Sequence, residues 1–109
     1  MFARRLRAAM SDDPLAGLRG RFIQRCVEDI ATLRALLSQD ADIRREPLRI
    51  VAHRLSGIAG SFGNASLSAL AGNIDDDLTQ DHRVADEKIA ALISSLEVYV
   101  LQSQASGEP

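Results

Sequence analysis

His53 lies in a stretch of sequence whose apolar residues recur at three- and four-residue steps, a spacing typical of a helix. The apolar residues with this spacing are Leu48, Val51, Leu55, Ile58 and Phe62. At about 100° per residue they form one narrow arc that we expect to face the core, and His53 falls about 180° from its centre. A solvent-facing imidazole is mostly uncharged at neutral pH, so one ring nitrogen keeps a free lone pair. His53 is therefore a candidate nucleophile on a rigid element.

Two glycines, Gly57 and Gly60, share the outward face of this predicted helix with His53. Each costs about 1 kcal/mol in a helix interior relative to alanine. One interpretation is that they let a neighbouring helix pack closely, but they lie away from the apolar arc. We favour the other interpretation, in which the missing side chains let a second protein approach His53. A fixed imidazole on a cleared surface suits phosphoryl transfer, which asks a protein mainly for positioning and electrostatic stabilisation.

Four amphipathic segments form the scaffold that holds this face in place. They are predicted over residues 14–38, 47–62, 65–80 and 84–102. Short connections between such helices favour antiparallel neighbours, so we predict an all-α protein, an antiparallel up-down-up-down four-helix bundle. The length suits a single domain over residues 1–109, with a frayed tail at 103–109. Met1–Met10 can add a short N-terminal helix.

The first long segment carries a wider apolar arc than one bundle seam requires. We assign to its seam Ile23, Val27, Ile30, Leu33 and Leu37. Leu18, Phe22 and Leu36 then lie to one side. Either the N-terminal residues pack on that side, which we favour, or part of the arc docks a partner.

The composition argues against several classes of protein. The chain has 15 acidic and 13 basic residues and a net charge of −2, so nothing indicates a nucleic-acid binder. No run approaches the ~18 apolar residues needed to span a membrane, and Met1–Met10 lack the apolar stretch of a secretory signal. The single cysteine, Cys26, cannot form an intrachain disulfide and favours a reducing compartment. We therefore expect a cytoplasmic protein.

The stretch from Ala52 to Gly63, followed by Leu67 and Leu70, resembles the histidine-phosphotransfer (HPt) domains of bacterial and eukaryotic phosphorelays. Their usual pattern is His-x-Leu-Lys-Gly, then small residues and a glycine at the end of that helix. The positions that match in one register are His53, Leu55, Gly57 and Gly63. The resemblance implies that His53 is the phosphorylated residue. It also implies that the partners are sensor (hybrid) histidine kinases and the aspartate-bearing receiver domains of response regulators.

One position departs from that pattern, because Ser56 stands where the family usually has lysine. A serine hydroxyl can donate one hydrogen bond but carries no charge to hold a phosphoryl group. Arg49, one turn before His53 on the same face, can replace the lost charge, or it can be an ordinary solvated arginine. Arg54 is predicted to point well away from this face.

Other chemistry-bearing residues give weaker signals. Asp75, Asp76 and Asp77 are consecutive, so in a helix they point about 100° apart and cannot converge on one ion; we interpret them as a solvated acidic face. His82 falls in a predicted loop, and Cys26 is predicted to be a small core residue. We expect no metal site and no cofactor. The sequence also has no ATP-binding motif, so we expect a phosphocarrier and not a kinase.

Three functions remain open from the sequence. The first is a phosphorelay carrier that passes a phosphoryl group to or from receiver aspartates. The second is a docking module that regulates a kinase or receiver without phosphorylation, which the serine at position 56 favours. The third is the dimeric helical domain of a kinase, which would need an adjoining ATPase domain. We expect a monomer.

Overall fold

The computed structural model describes residues 16–106, with side chains for residues 16–104. This part of the chain contains no strand and forms four helices, α1 (Ala16–Leu37), α2 (Ala41–Ser61), α3 (Ala65–Thr79) and α4 (Asp86–Ser106). Helices α1 and α3 each pack on both α2 and α4. The predicted four-helix bundle is therefore confirmed. The helix expected over Met1–Met10 lies outside the described residues.

The core is aliphatic and draws on all four helices. Its fully buried large aliphatic side chains are Leu33, Leu48, Leu55, Leu67, Ile74, Ile89, Leu92 and Leu96. Burial of each such side chain contributes about 1.5–3 kcal/mol to folding. Because this burial fixes which side of α2 faces inward, it also fixes the side that faces water.

Helix α2 begins at Ala41, six residues before the predicted start at Pro47. The first turns are held by Arg44, a buried arginine that donates to the carbonyl oxygens of Leu37 and Val84, at 3.3 Å each, and to Asp86 Oδ1 at 2.6 Å. These tertiary contacts offset the helical hydrogen bond that a proline cannot donate. The sequence prediction was wrong here because a proline is a common helix start, and the contacts of Arg44 are not visible in the sequence.

Helix α1 is rotated by about one residue from the predicted seam. Its buried residues are Phe22, Cys26, Asp29, Leu33 and Leu36. Val27, which we assigned to the seam, is 43% exposed. The rotation buries Asp29, whose burial we did not predict. Arg54 of α2 compensates the buried charge by donating a hydrogen bond to Asp29 Oδ1 at 2.6 Å.

Two further features differ from the sequence prediction: the exposure of Ile58 and the bounds of α4. Ile58, predicted to face the core, is 36% exposed. It lies on an open groove of about 510 Å³ between α1 and α2, beside Leu18 and Phe22. Helix α4 begins at Asp86, two residues later than predicted, and continues to Ser106, so residues 103–106, expected in a frayed tail, are helical.

The turn between α2 and α3 sets the position of α3 beside α2. Gly63 takes a φ of +78°, in the left-handed region that glycine adopts without strain. Asn64 then caps α3, since its side chain accepts a hydrogen bond from the Leu67 N–H at 3.1 Å. Ser68 of α3 donates to the Ser56 carbonyl of α2 at 2.6 Å. Together these contacts hold α3 beside the helix that carries His53.

Within residues 16–106, no helix combines the length and the apolar character that crossing a membrane requires.

The burial of Cys26 gives a chemical test of the α1 register. Burial raises the pKa of the Cys26 thiol to about 12, and the negative charge of Asp29 adds to this rise. Because the thiolate is the reactive form, we expect iodoacetamide at pH 8 to label the native protein more than ~100-fold more slowly than the urea-unfolded protein. With one cysteine in the sequence, mass spectrometry reads a single site. Equal rates in both states would place Cys26 on the surface.

Candidate functional site

His53 stands in the middle of α2 with its side chain 71% exposed. Its neighbours in sequence explain this position, because Ala52 and Leu55 are fully buried and fix the rotation of the helix. The imidazole is thus presented to solvent from a helix whose other side is anchored in the core, as the helical spacing predicted.

Asp75 of α3 contacts the imidazole directly. Its Oδ2 lies 2.9 Å from His53 Nδ1, and its side chain is only 16% exposed. An ionised carboxylate only accepts hydrogen bonds, so we assign the proton of the ring to Nδ1, which donates a hydrogen bond to Asp75. The lone pair of the neutral ring is therefore on Nε2, the nitrogen that Asp75 leaves free.

The interpretation of Asp75, Asp76 and Asp77 as a solvated acidic face was wrong for two of the three. Asp75 holds His53, and Asp77 Oδ2 pairs with Lys88 Nζ at 2.6 Å. Asp76 is exposed. The spacing contained a signal for Asp75: it follows Ile74 directly and stands four residues after Ala71, so it lies at the edge of the buried stripe of α3.

Arg49 lies on the His53 side of α2, but its guanidinium forms an ion pair with Glu46. Its Nη2 lies 2.6 Å from Glu46 Oε1 and its Nε 3.1 Å from Glu46 Oε2. The hydrogen bond from Arg49 lowers the pKa of Glu46. The hydrogen bond to Glu46 raises the pKa of Arg49, and the charges of Glu46 and Asp75 add to the rise. The charge of Asp75, which contacts His53, thus also favours the charged form of Arg49.

Ser56 faces α3. Its hydroxyl donates to the His53 carbonyl oxygen at 2.8 Å, one turn back along α2. A Cβ built on Gly72 of α3 would lie 3.7 Å from Ser56 Cβ, which places Ser56 at the contact between the two helices. The hydroxyl is therefore committed to the backbone, and Ser56 brings no charge to the site.

The two glycines of this face differ in their surroundings. A Cβ at Gly57 would meet nothing within 4 Å, so the surface beyond His53 is open there. A Cβ at Gly60 would lie 3.6 Å from Ser68 Oγ, an ordinary contact with α3. Gly57 therefore clears the surface, and Gly60 borders the neighbouring helix.

The remaining candidates lie away from this face. Arg54 pairs with buried Asp29, consistent with the expectation that it points elsewhere. Cys26 is buried, and His82 is exposed in the α3–α4 loop. Among residues 16–106 no three histidine, cysteine or acidic side chains are grouped so that they would hold a metal ion.

The sequence pattern that defines the Hpt domain matches residues 17–103. This chain belongs to the Hpt domain family. Membership implies histidine phosphotransfer in phosphorelays: an Hpt domain is a phosphocarrier, not a kinase domain, and works with histidine kinases and receiver domains. No curated protein and no solved structure matches the chain significantly.

The open surroundings of Gly57 can be tested by stability alone. We expect Gly57→Ala to raise the free energy of unfolding by about 0.5–1 kcal/mol, because alanine removes the helical cost of glycine and meets no neighbour. Gly63→Ala is the matched control and should destabilise the protein, since its φ of +78° is strained for alanine. Urea unfolding measures both. A loss of stability in Gly57→Ala would show that this surface is packed.

Proposed function

We propose that this Hpt domain carries a phosphoryl group on His53, and that it exchanges this group with the aspartate of a response-regulator receiver domain. The observation that supports this most is the placement of His53 within the matched segment: an exposed imidazole in mid-helix, with Nε2 free and Nδ1 occupied by Asp75. A nucleophile in this position is accessible to a partner without any movement of the bundle.

The surface around His53 suits a partner that approaches closely. Gly57 leaves the area beyond the imidazole without a side chain, and Gly60 adds no bulk at the α3 border. Ile50, within one turn of His53, is 55% exposed and offers an apolar contact. We propose that this surface receives the receiver domain and, at another time, the sensor kinase that supplies the phosphoryl group. In this proposal the Hpt domain acts as a cytoplasmic monomer.

Arg49 is the cation we propose for the phosphoryl group. It lies on the same face as His53, one turn away, and its charge replaces the one that Ser56 lacks. To reach a phosphoryl group it must exchange some of its contact with Glu46, an exposed pair of the kind that contributes little to stability.

The alternative, a docking module that acts without phosphorylation, is favoured by two observations. Ser56 stands in place of the usual lysine, and Arg49 is paired with Glu46. The two functions differ in one product. A carrier acquires acid-labile phosphate on His53 when mixed with a phosphorylated receiver, and a docking module binds the receiver but stays unlabelled.

The first prediction here concerns His53 itself. We expect His53→Gln to keep the melting temperature nearly unchanged, because the side chain is exposed, and to abolish phosphate acceptance. His82→Gln, which removes the other histidine of the sequence, is the matched control and should accept phosphate normally. Labelling with phosphorylated receiver domains measures both. Label retained in His53→Gln and lost in His82→Gln would move the site to the α3–α4 loop.

The second prediction concerns Arg49. We expect Arg49→Ala to slow phosphoryl transfer by about two- to fivefold, a modest effect because the side chain is partly exposed. Ser56→Lys in the same protein should restore part of the rate by supplying a cation from the α3 side. Transfer time courses of the wild type, the single variant and the double variant are compared at equal folded fraction. Equal rates in all three would mean that the receiver supplies the stabilising charge.

A further inference from the structure

The ion pair of Arg49 with Glu46 directs the guanidinium along α2, away from His53. Arg49 Nη2 lies 2.6 Å from Glu46 Oε1 and Nε lies 3.1 Å from Oε2, so the two groups meet through two hydrogen bonds. Glu46 is three residues before Arg49, whereas His53 is four residues after it. At 1.5 Å per residue these are opposite directions along the helix axis. Arg49 must therefore turn from Glu46 to reach a phosphoryl group on His53.

Glu46 depends on Arg49 as its ion-pair partner in the part of the chain that the structure describes. The hydrogen bond from Arg49 is the main cause of the lowered pKa of Glu46, and the charge of Arg45 adds to it. Arg45 itself is committed elsewhere, because its Nη2 lies 2.8 Å from Asp81 Oδ1 and 2.5 Å from the carbonyl oxygen of Leu78. If Arg49 leaves, Glu46 thus keeps its negative charge without an ion-pair partner.

The charges on this face leave no spare cation for a phosphoryl group. Two carboxylates, Asp75 and Glu46, stand against the single guanidinium of Arg49, and Ser56 adds no charge. Arg49 and Glu46 are 38% and 64% exposed, so both are accessible when the imidazole of His53 is modified. A phosphoryl group therefore brings a third negatively charged group to a surface whose guanidinium is already paired.

We infer that Glu46 competes with the phosphoryl group for Arg49, and that this competition favours passing the group on over keeping it. The inference rests on the proposed function of His53. When His53 is phosphorylated, Arg49 turns toward the phosphoryl oxygens and leaves Glu46 unpaired. Coupling between two interactions is reciprocal, so an ion pair that phosphorylation weakens makes phosphorylation less favourable by the same factor. Glu46 is thus a residue that sets how firmly the Hpt domain holds its phosphoryl group.

Transfer to a receiver returns the site to its paired state. The N–P bond breaks as phosphorus binds a carboxylate oxygen of the receiver's aspartate, and the electron pair of the N–P bond returns to the ring nitrogen. The phosphoryl group takes its negative charge to the receiver as an acyl phosphate, and the remaining proton of the ring stays in place. Arg49 then pairs again with Glu46, so the re-formed ion pair adds to the driving force of this step.

The exchange equilibrium with a receiver measures the effect of Glu46. Glu46→Gln keeps the size of the side chain and removes its charge. With a receiver that exchanges phosphate with the wild type, we expect this variant to raise the ratio of phosphorylated Hpt domain to phosphorylated receiver by about two- to fivefold, since the ion pair is exposed. Glu97→Gln is the matched control. It breaks the exposed Arg34–Glu97 ion pair on α4, a helix that does not pack on α2, and should leave the ratio unchanged.

A second measurement needs no protein partner. Phosphoramidate, a small-molecule phosphoryl donor, labels His53 with ammonia as the leaving group, and carbon NMR of the Glu46 carboxyl group reports its pKa before and after. Because Arg49 holds that pKa low, we expect it to rise when the phosphoryl group draws Arg49 away. In Arg49→Ala the lowering is already lost, so phosphorylation should raise the pKa less than in the wild type. Thermal unfolding checks that all variants are folded.

The outcomes separate this inference from the proposed function. Equal ratios for Glu46→Gln and Glu97→Gln, or a rise in the pKa of Glu46 that is as large in Arg49→Ala as in the wild type, would overturn the competition and leave His53 as the carrier. A wild type that takes no label at His53 from phosphoramidate or from any phosphorylated receiver would remove both. Labelling by phosphoramidate with the expected rise in pKa, but no exchange with any receiver, would remove the carrier function and leave the competition for Arg49 standing.

Discussion

The packing of α2 against α3 is the constraint on which the rest of the site depends. Burial of Leu55 and Ala52 fixes the rotation of α2 and turns His53 outward. The Gly63–Asn64 turn and the hydrogen bond from Ser68 to the Ser56 carbonyl then fix α3 alongside. Only with both helices in place does Asp75 reach His53 Nδ1. The site is therefore a property of a helix pair, and its geometry is set by contacts between α2 and α3 that do not involve the imidazole itself.

This arrangement divides the work of a phosphocarrier between exposure and burial. In the proposed function, the exposed His53 side chain is where a partner protein meets the nucleophile, while Asp75, which contacts the ring, is mostly buried in the bundle. A hydrogen-bond acceptor that is already in place, as Asp75 is, lowers the entropic cost of orienting the ring for transfer. In the proposed function, the open surface at Gly57 serves the same end from outside, since it leaves room for the charged groups of a partner beside the phosphoryl group.

The sequence predicted the helices and the outward position of His53, because both follow from the spacing of apolar residues along one helix. It did not predict contacts between helices. Asp29 was missed as a buried residue because its partner, Arg54, is on another helix, and Pro47 was taken as a helix start because the contacts of Arg44 are tertiary. Asp75 was missed for the same reason: helical spacing explains why three consecutive aspartates diverge, but not which of them meets a histidine on the neighbouring helix.

Two-step transfer shows whether His53 carries a phosphoryl group from one protein to another. The protein is mixed with a receiver domain bearing labelled phosphate, separated from it, mapped by mass spectrometry under alkaline conditions, and then mixed with a second, unlabelled receiver. We expect one acid-labile phosphoryl group on His53 that appears in the second receiver as it leaves the Hpt domain. No label on the protein after exposure to the phosphorylated receivers and kinases of its own cell, or a label that stays and cannot be passed on, would contradict it.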